Sequence, residues 1–194
     1  MIAAALLACA VNVAPSTLEA VIRVESGGNT LALNVNGLRV QPPPARDLRE
    51  AAQIAAGFIA RGYSVDIGLM QVSSRNLIAL GVTVRQVLDP CTNIRSGAKI
   101  LTADYAAATR TLGEGQVALQ AALSAYNTGD FYRGLVNGYV AHYYGPGVMT
   151  LANVRRATIV SSSTIQHMLA PRPADPFSAD TNVYTREAAD VGIE

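Results

Sequence analysis

Apolar residues recur every three to four positions over most of the first 126 residues, which predicts a mainly helical chain. Polar capping residues and glycines mark where the helices begin and end. Ser16 and Glu19 have the spacing of a capping box, and Asp47 with Glu50 gives a second capping signal. Glycines follow the apolar segments and predict their ends. The predicted helices span residues 15–26, 48–61, 74–80, 93–112 and 116–126.

Three stretches depart from the helical pattern. Residues 29–46 contain several asparagines and three consecutive prolines, which predict a long loop or a short hairpin. Residues 63–72 predict a short extended or turning segment. After residue 145, serines and prolines cluster and predict an extended or partly disordered tail. The prediction is therefore one domain, residues 1–145, and a tail, residues 146–194, which is either a tether or docking segment or an end without a partner.

The amino-acid composition argues against some classes of protein. Half of the 194 residues are hydrophobic and 15% are charged, which is enough apolar material for a packed core. Fifteen lysines and arginines against fourteen aspartates and glutamates give a net charge of +1, which argues against a nucleic-acid-binding protein. The longest uncharged, largely apolar run, residues 1–13, is shorter than the roughly 20 residues of a transmembrane helix, so no transmembrane segment is predicted.

The two cysteines, Cys9 and Cys91, favour either one disulfide in an oxidising compartment or two unrelated buried thiols. Together with two scattered histidines they do not have the spacing of a metal site, and no metal or other cofactor is predicted. The segment before Cys9 is interpreted as the first helix or as the mature start of the domain. The alternative is the end of a signal peptide, with Cys9 as a lipoprotein acceptor.

Glu25 is the candidate catalytic group. Leu18, Val21, Ile22 and Glu25 fall at positions i, i+3, i+4 and i+7, so the carboxylate shares a helix face with three aliphatic side chains. Apolar surroundings and the C-terminal end of the helix dipole would both raise the pKa of Glu25, which suits a general acid near neutral pH. The alternative is an ordinary solvated residue in the last turn.

Two further segments have a composition typical of sugar binding. Residues 68–72 place Gln71 among apolar neighbours after a glycine, and residues 125–129 join Tyr126 and Asn127 to a tight turn. Amides and phenols bind the hydroxyl and N-acetyl groups of sugars, while aromatic rings cover the apolar sugar face. Each segment alone is a weak signal, since a tyrosine and an asparagine before a glycine also commonly end a helix.

In order along the chain, Glu25–Gly28, Gly68–Gln71 and Ala125–Gly129 resemble the motif series of the soluble lytic transglycosylases, which share the goose-type lysozyme fold. The chain is most similar to the specialised transglycosylases of type IV secretion and conjugation systems, in which a long insert separates the first two motifs, as residues 29–66 do here. The resemblance implies a mainly α, lysozyme-like domain of the SLT type with a small irregular or β element.

The resemblance also implies a function. Such enzymes cleave the β-1,4 bond between N-acetylmuramic acid and N-acetylglucosamine in peptidoglycan and leave 1,6-anhydro ends. The implied cellular location is the periplasm. The implied protein partners are components of a secretion or conjugation channel. Glu25 is the implied catalytic residue, and the family's cysteines stand where Cys9 and Cys91 do, which implies a disulfide. The implied substrate-binding residues are Ser26, Gly68, Met70, Gln71, Tyr126, Asn127 and Tyr139.

Asp66 offers an alternative reading of the chemistry. Its position near Gly68 suggests a second carboxylate, as in lysozymes, but a turn residue that accepts amide hydrogen bonds is the favoured interpretation. Two other functions stay open at this point. One is a goose-type hydrolase that releases reducing ends, and the other is a catalytically weak scaffold that binds peptidoglycan.

Overall fold

The computed structural model describes residues 4–144, and helices make up most of these residues. The predicted tail at 146–194 lies outside these residues. The described residues fall into two units, 4–99 and 100–144, and the division lies inside the longest helix, α6. The helices are α1 (Ala4–Leu7), α2 (Pro15–Ser26), α3 (Leu48–Ala60), α4 (Leu77–Leu80), α5 (Val84–Val87), α6 (Pro90–Leu112), α7 (Gln116–Thr128), α8 (Arg133–Val136) and α9 (Ala141–Tyr144).

Helix α2 begins two residues earlier than the predicted capping box requires. Its N-cap is Ala14, which makes no side-chain capping bond, and Pro15 occupies the first turn. Proline suits that position because its fixed φ is already helical and it has no N–H to satisfy. The capping box of Ser16 and Glu19 is therefore wrong. The helix ends as predicted, at Gly27 in the left-handed conformation.

The second capping signal is confirmed. The Asp47 carboxylate accepts the Glu50 N–H at 2.8 Å and begins α3, which buries Ala51 and Ala55. The Glu50 side chain forms an ion pair with Arg46, with Nε and Oε2 3.0 Å apart. This cap sets the helix start at Leu48, where the sequence places it.

A three-stranded antiparallel sheet, with strand order β1-β2-β3, lies in the first unit. Its strands are β1 (Leu33–Val35), β2 (Val65–Ile67) and β3 (Val72–Ser73). Asn34 pairs with Asp66, which in turn pairs with Ser73. The segment 29–46 thus contributes a strand whose partner is thirty residues away, instead of a local hairpin. The sheet is the small β element that the resemblance implies.

The outer edge of β1 is covered by one side chain. Gln41 accepts the Val35 N–H at 2.7 Å through Oε1 and donates to the Val35 carbonyl at 2.9 Å through Nε2. Its amide therefore forms both hydrogen bonds that a neighbouring strand would make. This pairing blunts an otherwise open sheet edge and fixes the loop that follows β1.

Helix α6 begins three residues before the predicted start. Pro90 occupies the first helical position, and the Asp89 carboxylate accepts the Thr92 N–H at 2.8 Å. In the second unit, α7 continues to Thr128 and ends at Gly129 in the left-handed conformation. A cluster of small buried residues forms a core of that unit, with larger side chains packed against it. The cluster comprises Ala108, Ala118 and Ala121, with Tyr105, Leu112 and Phe131 around it.

The predicted disulfide is confirmed. Cys9 and Cys91 are bonded, with Cα atoms 5.4 Å apart, and both residues belong to the first unit. The bond ties the segment after α1 to the first turn of α6. A sulfur held in this bond is not available as a lipid acceptor. Between residues 4 and 144, none of the helices combines the length and the apolar character that a membrane crossing needs.

Candidate active site

Glu25 lies in the last turn of α2, at the border between core and solvent. Leu18, Val21 and Ile22 on the same helix face have no exposed surface, whereas Glu25 is partly exposed. The helix ends at Ser26, one residue later, and a Cβ atom added to Gly27 or Gly28 would meet nothing within 4 Å. The carboxylate therefore stands at the end of a buried face, next to backbone that a ligand can approach.

Ser26 fixes the position of this helix end. Its hydroxyl donates to the carbonyl of Leu69 at 2.7 Å, lies 3.1 Å from the carbonyl of Ile22, and accepts the Gly28 N–H at 3.2 Å. The contact with Leu69 joins residues 43 positions apart and holds the Glu25 turn against the segment 68–71. These bonds give Ser26 a positioning role, and direct contact with substrate stays a prediction.

The segment 68–71 is a tight turn built around Gln71. Gly68 has a φ of +76° and donates its N–H to the Ala32 carbonyl at 2.8 Å. Gln71 has a φ of +46°. Among residues 4–144, no other non-glycine residue has a positive φ. Nonglycine residues in this region carry a strain of about 1–3 kcal/mol and are concentrated at functional sites. The geometry of this turn therefore marks Gln71 as a functional candidate.

The Gln71 side chain is oriented by hydrogen bonds from its amide group to the backbone. Nε2 donates to the Gly68 carbonyl at 2.9 Å and to the Ala32 carbonyl at 3.3 Å. Both amide hydrogens are thus bonded to the backbone, and no group among the described residues donates to Oε1. An oriented carbonyl oxygen of this kind can accept a hydrogen bond from a hydroxyl or an N-acetyl group.

The Met70 side chain is buried, unlike the side chain of a residue that lines an open cleft. Its side chain has no exposed surface and packs against Gly97 of α6, where an added Cβ would lie 2.7 Å from the Met70 sulfur. Burial at this contact favours a packing role, in which Met70 holds the 68–71 turn on α6. A substrate contact for Met70 stays a prediction.

Asn93 is a positioning residue that the sequence reasoning missed. It is 1% exposed, and its side chain binds three backbone groups. Oδ1 accepts the Met70 N–H at 2.8 Å, and Nδ2 donates to the carbonyls of Ile67 and Val87, each at 2.8 Å. The sequence places this amide at a predicted helix start, where asparagine is ordinarily a cap. A fully buried amide is visible only once α6 and the turn are packed together.

Asp66 is a strand residue and not the turn residue favoured from the sequence. Its carboxylate accepts from Nδ2 of Asn36 at 2.9 Å and from Nδ2 of Asn34 at 3.3 Å. Burial raises the pKa of Asp66, and the hydrogen bonds from Asn36, Asn34 and Ser73 and the charge of Arg75 oppose that rise only in part. The carboxylate is held by side-chain amides on one face of the sheet.

The remaining predicted residues belong to the second unit. Tyr126 and Asn127 lie in the last turn of α7, Tyr126 partly exposed and Asn127 exposed. The turn is held by buried Ser124, which donates to the Asp130 carbonyl at 2.5 Å and accepts the Gly134 N–H at 2.7 Å.

Tyr139, also in the second unit, is paired with a neighbouring tyrosine. Its hydroxyl lies 2.5 Å from that of Tyr143, and the two rings meet edge to face with centroids 5.4 Å apart. The pair gives Tyr139 a fixed ring orientation. Hydrogen bonds and packing thus bring Ser26, Gly68, Met70 and Gln71 together beside Glu25 in the first unit, while Tyr126, Asn127 and Tyr139 are placed by contacts of the second.

Comparison with known proteins agrees with the motif order. The family model described as the transglycosylase SLT domain matches residues 3–141. This match takes in all three motifs and almost all of the described chain.

Two relatives illustrate the similarity. The protein virB1 of Agrobacterium fabrum is 41% identical over 132 residues, which are 68% of this chain and 53% of that protein. The type IV secretion system protein virB1 of Brucella abortus biovar 1 is 35% identical over 183 residues, which are 94% of this chain and 75% of that protein. The match thus spans about half the length of the Agrobacterium relative. No solved structure matches the chain significantly.

Proposed function

Because the chain belongs to the transglycosylase SLT family, we propose that it is a lytic transglycosylase that cleaves the β-1,4 bond between N-acetylmuramic acid and N-acetylglucosamine. The observation that carries the proposal is the placement of Glu25. Its carboxylate stands at the open end of a buried helix face, and the Ser26–Leu69 hydrogen bond holds it beside the strained Gln71 turn. This placement supports a role for Glu25 in acid–base catalysis, which requires a titratable group held in a fixed position near the bond to be cleaved.

In the proposed mechanism one carboxyl group acts twice. Glu25 protonates the glycosidic oxygen as the bond to the muramyl C1 breaks. The resulting carboxylate then removes the proton of the C6 hydroxyl, whose oxygen bonds to C1. The products are a 1,6-anhydromuramyl end and a free C4 hydroxyl, and no water is consumed. This differs from glycosidases that use two carboxylates, because the substrate's own hydroxyl is the nucleophile.

Four other residues are proposed to bind the sugar chain. Gln71 offers Oε1 as an acceptor, as its amide hydrogens are already bonded to the backbone. Asn127 presents an exposed amide, and Tyr126 a partly exposed ring, at the end of α7. Tyr139 joins this set with its ring orientation fixed by Tyr143.

The proposed setting is the cell wall outside the cytoplasm, where the enzyme would locally open peptidoglycan for a type IV secretion or conjugation apparatus. The Brucella relative is named as a type IV secretion system protein, which supports this setting. The Cys9–Cys91 disulfide supports an oxidising compartment such as the periplasm. Channel components of such an apparatus are the proposed protein partners.

Mass spectrometry of digested sacculi tests the reaction. Purified protein is expected to release muropeptides that are lighter by one water than the products of a hydrolase, because the anhydro ring replaces the added water. Reducing ends of hydrolytic mass would instead identify a goose-type hydrolase. Binding to sacculi with no released muropeptide would identify a scaffold.

Substitution of Glu25 tests its assigned role. Glu25→Gln keeps the shape of the side chain but cannot transfer a proton, so kcat should fall by about 10²–10⁴-fold or more. Asp66→Asn is the matched control, and it should retain most of the activity if one carboxylate does the acid–base work. Substantial turnover by Glu25→Gln, or a collapse of activity in a well-folded Asp66→Asn protein, would contradict the mechanism.

A further inference from the structure

A β-turn of four residues, 29–32, connects the end of α2 to the start of β1. Its first residue is Asn29, and the Ala32 N–H closes the turn by donating to the Asn29 carbonyl at 3.3 Å. The exposed Asn29 side chain also takes part, because its Oδ1 accepts the Leu31 N–H at 2.9 Å. Asparagine is favoured at the first position of turns that make this bond. The Asn29 side chain therefore fixes the shape of the 29–32 turn.

One end of this turn is bonded to the helix that carries Glu25. The Asn29 N–H donates to the Ser26 carbonyl at 3.1 Å. The two residues between them are glycines with positive φ, so the chain leaves α2 through a compact bend. Because Ser26 follows Glu25 directly, the position of the turn is tied to that of the proposed catalytic carboxylate.

The other end of the turn holds Gln71. The Ala32 carbonyl accepts the Gly68 N–H at 2.8 Å and Nε2 of Gln71 at 3.3 Å. A carbonyl oxygen has two lone pairs, so these two bonds use its accepting capacity. The direction of the Ala32 carbonyl thus sets one of the two hydrogen bonds that orient the Gln71 amide, and with it the acceptor Oε1.

The sheet alone holds Ala32 weakly. The pairing of β1 with β2 covers three residue pairs, and the bond between Ala32 and Gly68 lies just beyond the pair that includes Leu33. Bonds at the ends of short elements open more readily than those inside them. The 29–32 turn holds Ala32 from the other side, and the Asn29 side chain stabilises that turn.

We propose that Asn29 is a positioning residue for the proposed transglycosylase reaction, because its side chain holds the turn whose last carbonyl orients Gln71. The inference rests on the proposed function, in which Oε1 of Gln71 accepts a hydrogen bond from the sugar chain. Asn29 acts through Gln71 and needs no contact with the substrate. Loss of its side chain leaves the Glu25 carboxyl group in place but releases the acceptor, so the effect should fall on KM more than on kcat.

The rate of muropeptide release from sacculi tests this role. A binding group misplaced by about 1 Å costs up to about 100-fold, so Asn29→Ala should lower kcat/KM by about 10- to 100-fold, mainly through KM. Asn29→Ser should retain most of the activity, because a serine hydroxyl accepts the same N–H, although more weakly. Equal losses in the serine and alanine variants, or no loss in either, would overturn the proposal.

Asp47→Ala is the matched control for the loss of one bond between a side chain and the backbone. Asp47 is exposed, belongs to the same unit and accepts the Glu50 N–H at 2.8 Å. Its substitution should lower the thermal midpoint about as much as Asn29→Ala does, whereas its kcat/KM should stay close to the wild-type value. An equal fall of kcat/KM in both variants would show that activity follows stability and would overturn the positioning role.

A double-mutant cycle tests whether Asn29 acts through Gln71. Gln71→Ala removes the group that is positioned, so Asn29→Ala should have little further effect on kcat/KM in that background. Independent residues would instead give losses that multiply in the double variant. Such multiplied losses would overturn the route through Gln71.

The side-chain amide of Gln71 gives a readout that does not depend on turnover. Its two hydrogens are bonded to backbone carbonyls, so its NMR signals in isotope-labelled protein should differ from those of a free amide. Asn29→Ala should move these signals toward the free-amide positions, and Asp47→Ala should not. Unchanged Gln71 signals in Asn29→Ala would overturn the proposal. If the signals move as expected but wild-type protein releases no muropeptide, the proposed function fails and the link between Asn29 and Gln71 stands.

Discussion

Asn93 connects two segments of the first unit at a single buried side chain. Alanine at this position would leave the Met70 N–H and the carbonyls of Ile67 and Val87 without their partner. Each unsatisfied buried group costs about 1–3 kcal/mol, so Asn93→Ala should lower the free energy of unfolding by about 3 kcal/mol or more. Urea denaturation measures this loss, and kcat/KM on sacculi should fall with it because the 68–71 turn is released.

A second asparagine serves as a control, because its substitution also removes a side-chain amide. Asn76 is the N-cap of α4 and makes no side-chain capping bond. Asn76→Ala should therefore change stability by less than about 0.5 kcal/mol. Equal losses in the two variants would show that Asn93 does not hold the turn.

Residues of the candidate site differ in how far the sequence revealed them. Glu25 was found because it stands on an apolar helix face, a local feature that needs only the helical period. The roles of Ser26 and Asn93 depend on partners 43 and 23 residues away, which no local pattern contains. The same limit applies to Met70, whose burial results from close packing against α6 and cannot be distinguished from cleft lining in sequence.

At the scale of elements, α6 approaches the 68–71 turn through a glycine. A Cβ added at Gly97 would lie 2.7 Å from Cβ and Sδ of Met70, so Gly97→Ala should destabilise the protein by about 1–3 kcal/mol through overpacking. Gly57 of α3 is the control, because a Cβ there meets nothing within 4 Å. Gly57→Ala should be stabilising by up to about 1 kcal/mol, since alanine is the better helix former. Thermal and urea unfolding of both variants measure these changes in stability. If Gly97→Ala and Gly57→Ala changed the free energy of unfolding in the same direction, the close contact between Gly97 and Met70 would be contradicted.

The sheet carries a carboxylate whose protonation should affect stability. Burial raises the pKa of Asp66 above its usual value of 3.8, so the folded state holds the proton more tightly than the unfolded chain. The resulting stabilisation is complete below that usual value and is lost as the pH rises through the folded-state pKa. Relative to Asp66→Asn, the wild type should therefore gain stability between about pH 7 and about pH 3. Urea denaturation of both proteins measures the difference, and a difference independent of pH would contradict the raised pKa.

Helices were predictable where their signals are local, and strands were not. Asp47 and Glu50 place the start of α3 correctly, because a cap and its partner are three residues apart. The capping box at Ser16 failed for an equally local reason, since Pro15 is the better first residue of a helix. By contrast, β1 is three residues long and pairs with a strand thirty residues away, so its existence depends on β2 and on the Gln41 side chain at its outer edge.

At the scale of the whole molecule, one covalent bond closes most of the first unit into a loop. Cys9 and Cys91 are 82 residues apart in sequence, and the closed loop includes Glu25, the sheet and the 68–71 turn. Every contact that holds Glu25 beside Gln71 therefore forms in a chain whose unfolded state is already restricted. Such a restriction stabilises the folded state mainly by lowering the entropy of the unfolded chain.

Removal of this bond should therefore be costly. A Cys9→Ser/Cys91→Ser variant should lose about 4 kcal/mol of unfolding free energy on the chain-entropy account, with an observed range of about 2–5 kcal/mol. Reduction of the wild type should lower its thermal midpoint in the same direction, whereas reductant should have no effect on the double variant, which is the control. Alkylation before and after reduction counts the thiols and confirms that the bond was present. Two thiols that react without reduction in protein from an oxidising compartment, or a wild-type midpoint that reductant does not change, would contradict a stabilising role for the disulfide.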